Sequence, residues 1–69
     1  MNLLYRIKNA IKTEGEALYR GEIDFLMSEQ GFDKKTVSEF LFTMILVGMV
    51  KEQKGFKQNR YFLNPGGYR

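Results

Sequence analysis

Residues 40–50, FLFTMILVGMV, are apolar on almost every side of any helix they could form. A helix without a polar face must be covered all round, and the chain has only 69 residues with which to do it. Chains of this size bury about 60% of the surface that unfolding exposes. With no cysteine and no histidine, neither a disulfide framework nor the usual soft metal ligands can reinforce a small core. Close packing or a second copy of the chain therefore has to cover Phe40, Phe42, Leu46 and Val47, which exceed what one core stripe requires. The first three of these, with Leu4 near the start of the chain, are the candidate dimer or partner interface.

The pattern elsewhere predicts short amphipathic elements. Leu3, Leu4, Ile7, Ala10 and Ile11 recur at three- and four-residue spacings, predicting a first helix over residues 2–13. ALYR, residues 17–20, is too short for a helix and reads as a brief strand or extended link. A second helix is expected from Gly21 to about residue 30, with Glu22 and Asp24 favourable at its positive end and Gly31 as its stop. Asp33 can cap a third helix by accepting free amide hydrogens of its first turn. That helix runs from Lys34 to about Val47, with Val37, Leu41, Met44 and Ile45 as its core stripe and Gly48 as its end signal. The three residues GFD between the second and third helices force a sharp crossing, a helix-turn-helix. MVKEQ and RYFLN then read as two strands joined by KGFKQN, a hairpin in which Phe56 is expected to fold back on Tyr61, the alternative being an apolar wedge inserted against a sugar or base. Residues 1–64 form one α+β domain and residues 65–69 a loose tail.

Charge separates along this order. Residues 1–33 carry four basic and six acidic groups, residues 34–69 seven basic and two acidic, within a total of +3. Lys51, Lys54, Lys57 and Arg60 stand in ten residues against one carboxylate, Glu52. A solvated hairpin needs polarity without a preferred sign; a cationic one favours polyanions.

Three helices followed by a hairpin, with a possible short strand before the second helix, resemble the winged helix-turn-helix superfamily of DNA-binding domains. The likeness is carried by FDKKTVSEFLFTMILVGMVKE, residues 32–52: an acidic cap, Val37, Leu41 and Met44 at helical spacing, Gly48, then the apolar pair Met49 and Val50 opening the wing. The brevity of the chain is similar to that of the minimal winged-helix regulators of archaeal viruses and plasmids. The resemblance implies that Lys34, Lys35, Thr36, Ser38 and Glu39 face the major groove of double-stranded DNA. It also implies that Lys51, Lys54, Lys57, Asn59 and Arg60 follow the phosphate backbone. Phe40, Phe42 and Thr43 depart from the arginine, asparagine or glutamine usual in the middle of such a helix. The superfamily includes protein-binding modules, and a greasy third helix suits that alternative.

Catalysis finds no foothold. No histidine or cysteine nucleophile, glycine-rich phosphate loop or metal-binding motif is present, so no enzyme, cofactor or metal is expected. No stretch nears the roughly 20 apolar residues that span a bilayer, and the N-terminal residues lack a signal-peptide pattern. The sequence reads as a cytoplasmic DNA-binding transcription or replication regulator, a homodimer, with a protein partner as the alternative.

Overall fold

The computed structural model describes residues 2–15 and 17–64; the expected tail lies outside the described residues. Helix α1 spans Leu3–Thr13, strand β1 Ala17–Tyr19, helix α2 Arg20–Ser28, helix α3 Lys34–Leu46, strand β2 Val50–Gln53 and strand β3 Arg60–Leu63. This is the α+β winged-helix topology. Asn2 stands just outside α1, where its side chain accepts the Tyr5 amide hydrogen at 3.0 Å. Leu3, Ile7 and Ile11 are buried along one side of that helix, and Leu4 and Ala10 flank them half-buried.

The brief strand does more than link two helices. It pairs antiparallel with β3, so the sheet has three strands in the order β1-β3-β2. Leu18 lies opposite Tyr61, and Tyr61 opposite Glu52. Alternation along each strand turns Leu18, Tyr61 and Val50 toward the helices, where all three are buried. It turns Tyr19, Arg60, Phe62 and Lys51 the other way.

Helix α2 starts one residue earlier than expected and is shorter at its end. Residues 29–31 form the turn, because Gly31 adopts φ +92°. The Phe32 amide hydrogen then reaches back to the Met27 carbonyl and that of Gly31 to the Ser28 carbonyl, both at 3.0 Å. The same closure ends α3: at Gly48, φ +84°, Met49 donates to Met44 and Gly48 to Ile45, at 2.9 and 3.1 Å. Both are Schellman closures, which return the chain toward the helix it has left and satisfy carbonyls the helix leaves open. The first fixes the helix-turn-helix crossing; the second aims β2 into the sheet.

The core is one cluster in which Ile7, Ile11, Ile23, Met27, Val37, Leu41, Met44 and Val50 are fully buried. Every element of the fold except the wing tip contributes to it. Val37, Leu41 and Met44 are buried as expected from the α3 stripe, with Ile45 half-buried beside them. Phe56 corrects an expectation: it does not fold back on Tyr61 but is fully exposed at the hairpin tip. The ring of Tyr61 is already enclosed and its hydroxyl already bonded to Glu52 at 2.8 Å, so nothing there remains for Phe56 to cover.

Asp33 caps α3, accepting the Thr36 amide hydrogen at 2.8 Å. That bond, with a lesser pull from Lys35, holds its carboxyl below the usual range. The folded state therefore binds the proton more weakly than the unfolded chain. The cap's contribution is complete above the unfolded pKa, about 3.9, and is lost as pH falls through the folded value. Asp33→Ala is expected to lower the melting temperature at neutral pH. Asp33→Asn, which can still accept the bond, should retain most of the stability and lose this part of its acid dependence. Thermal melts between about pH 2 and 7 check this; identical acid profiles for wild type and Asp33→Asn would contradict it.

Candidate nucleic-acid interface

The residues expected to meet DNA come from two places, the start of α3 and the hairpin between β2 and β3. The first turn of α2 joins them. Amide hydrogens at the start of a helix have no partner within it, and here two go to the wing. Arg20 donates its amide hydrogen to the Asn59 carbonyl at 3.0 Å, and Gly21 donates to Gln58 Oε1 at 2.7 Å. Gly21 permits this approach, since a Cβ there would lie 2.9 Å from the same oxygen. Glu22 completes the turn from the other side by accepting the Tyr19 amide hydrogen at 3.1 Å.

The Arg20 side chain continues the link toward α3. Its guanidinium donates to Asp24 at 2.9 Å, to the Lys34 carbonyl at 3.2 Å and to Ser38 Oγ. Burial alone would lower its pKa; Asp24, with Tyr61 adding to it, outweighs that and raises it. One residue thus touches the return arm of the wing through its backbone and the first turns of α3 through its side chain. Sequence reasoning missed it, as it missed Gln58. The four-residue spacing from Arg20 to Asp24 was the signal available, a pairing distance on a helix.

Lys34 and Lys35 are exposed at the start of α3, and neither makes an ion pair among the described residues. Thr36 is half-buried, with its amide hydrogen held by Asp33. Ser38 is exposed and its oxygen already accepts from Arg20, which leaves the hydroxyl hydrogen to donate outward. At the wing, Lys57 is exposed, and Lys54 lies 3.9 Å from Glu52, a loose and solvated pair worth little. Asn59 has a different place from the other wing residues. It is half-buried, donates to Glu52 at 2.9 Å and accepts from the Gly55 amide at 3.4 Å, so its side chain shapes the tip. Glu52, bonded by Tyr61 and then by Asn59, is held below its usual pKa. Burial, with the Glu52 bond second, raises that of Tyr61.

Lys51 and Arg60 leave the ladder on the outward face of the sheet, apart from the start of α3. The four interface candidates also divide. Leu4 and Phe40 are half-buried against the core, whereas Phe42 and Leu46 are 63% and 69% exposed. Lys35, Glu39, Phe42 and Leu46, spaced four, three and four apart, form the outward stripe of α3. Its beginning is charged and its end apolar.

Among the described residues no three His, Cys, Asp or Glu side chains are grouped to hold a metal ion, and no helix is long and apolar enough to cross a membrane. Comparison with protein-family models, curated proteins and solved structures finds no match to this chain.

Removing the Arg20 guanidinium leaves the half-buried Asp24 without its partner. Arg20→Met is expected to cost roughly 1.5–3 kcal/mol, the usual worth of hydrogen bonds to charged groups. It should also accelerate amide exchange over residues 34–38 and at the wing base beyond the change seen at Ile7 and Ile11. Exchange rising equally everywhere would mean that Arg20 stabilises the fold without coupling these two segments.

Proposed function

We propose that this chain is a DNA-binding regulator of transcription or replication, a binder and not an enzyme. It occupies duplex DNA with the start of α3 at the major groove and the wing along the phosphates. The observation that carries the reading is Arg20, bonded through its amide to Asn59 of the wing and through its guanidinium to the Lys34 carbonyl and Ser38 of α3, with Lys34, Lys35, Lys54 and Lys57 all exposed. Exposed lysines, and a Lys54 held only loosely by Glu52, can replace the counterions condensed on DNA, and releasing those ions drives association. Lys35 and Ser38 are the side chains best placed for base edges. With Phe42 and Leu46 further along the same stripe, phosphate contacts dominate over base readout. Phe56, fully exposed between Lys54 and Lys57, suits apolar contact with a sugar or base where the wing meets the minor groove.

The exposed end of α3 is assigned to a second copy, giving a homodimer in the cytoplasm. The exposure of Phe42 and Leu46 equally favours a second reading, a module whose apolar stripe receives a helix of another protein.

Fluorescence anisotropy on random and defined duplexes across a salt series tests the first reading. With about four to six phosphates neutralised per subunit, log K should fall against log salt with a slope near −0.9 per phosphate. Lys54→Ala with Lys57→Ala should weaken binding to all sequences alike and flatten the slope by about 0.9 per lysine. A flat salt dependence in the wild type would rule the reading out. Solution mass measured on Phe42→Ser separates the remaining two: conversion of dimer to monomer marks a homodimer seam, and an unchanged monomer with intact DNA affinity leaves the stripe to another protein.

A further inference from the structure

The outward face of the sheet has a composition that neither the core nor the duplex reading uses. Tyr19 of β1 lies opposite Arg60 of β3, and Phe62 of β3 lies opposite both Ala17 and Lys51. The Arg60 guanidinium sits 5.6 Å from the centre of the Tyr19 ring and 4.9 Å from that of Phe62. Gln53 completes the row beside Arg60. Tyr19 keeps 44% of its surface exposed, Arg60, Lys51 and Gln53 are exposed as well, and Phe62 is half-buried beneath Arg60. Among the described residues this face carries no carboxylate, and neither Lys51 nor Arg60 makes an ion pair.

We propose that this face binds single-stranded nucleic acid, with unpaired bases stacking on Tyr19, Phe62 and the Arg60 plane while Lys51 holds the phosphates. Aromatic rings standing on a flat sheet offer stacking to any base whose face is open, and cations beside them follow the backbone. In a duplex the base faces are closed to such a platform, so the occupant is an unpaired strand. A second copy fits poorly, because two of these faces together would set Lys51 and Arg60 against the same cations with no carboxylate between them. The cation–π contacts hold the Arg60 plane over Phe62 and Tyr19 as the top of the platform, with part of Tyr19 still exposed beside it. The proposal goes beyond duplex binding and stands on different side chains from those at the start of α3.

The test is binding of fluorescein-labelled oligothymidine and oligouridine of about 12 nucleotides, within the site sizes of single-strand binders. A blunt duplex is measured in parallel. Tyr19→Leu, alone and with Phe62→Leu, removes stacking while keeping bulk and every charge. Both are expected to bind the oligonucleotides roughly five- to a hundredfold more weakly with duplex affinity unchanged; the single variant covers the case in which the double variant does not fold. Oligonucleotide affinity unchanged in Tyr19→Leu would overturn the proposal, since the lysines alone would then account for binding. Loss of dimer mass in that variant, without loss of oligonucleotide, would overturn it in favour of a contact between copies. Wild-type protein that binds duplex but no single strand defeats this inference alone; the reverse defeats the duplex reading alone.

Discussion

The first turn of α2 begins with amide hydrogens that no residue of that helix can accept, and the wing accepts two of them. From the carbonyl of Asn59 and the side chain of Gln58 to the guanidinium of Arg20 and on to Lys34 and Ser38, a hairpin whose tip takes no part in the core is tied to the helices. Without these bonds the tip would be joined to the molecule only through β2 and β3. With them, the wing and the third helix are both bonded to the first turn of α2. The position of the cations on both segments depends on those bonds.

The same economy shows in the core. Among the described residues eleven buried apolar side chains come from three helices and three strands and a twelfth, Met49, from the link between α3 and β2, and the margin of stability in so small a domain is a few kcal/mol. Local devices therefore matter: the Asp33 cap, the closures at Gly31 and Gly48, and the Glu52–Tyr61–Asn59 bonds that stiffen the wing from inside. Covering Phe42 and Leu46 within the chain would need another element on the outer side of α3, and the described residues provide none.

Local signals in the sequence were largely sufficient for the elements. The spacing of Leu3, Ile7 and Ile11, the cap at Asp33, the glycines at 31 and 48 and the apolar pair opening β2 each act within a few residues, and each is seen in the fold. Contacts between distant segments were not legible in the same way. That ALY pairs with β3, that Arg20 spans to α3 and that Gln58 caps α2 depend on how the elements are brought together, and no periodicity encodes it. Phe56 was misplaced for a related reason. Burial of Phe56 was inferred from its apolar character, while the space beside Tyr61 had already been filled by the Glu52 and Asn59 arrangement. Of the candidate site, the lysines at 34, 35, 54 and 57 are exposed where their sequence neighbours placed them, Asn59 is engaged within the wing, and Lys51 and Arg60 stand on the sheet's outer face because the strand alternation puts them there.

The central claim is that the start of α3 and the wing tip act as one surface toward a single duplex. Residue-resolved NMR of the backbone amides, followed during titration with a short duplex at low salt, examines it most directly. The account predicts that amides over residues 34–38 and 54–58 shift together, with one common affinity, while those of Phe42 and Leu46 stay in place. Shifts confined to the apolar end of α3, or a wing and helix that respond with different affinities, would contradict it.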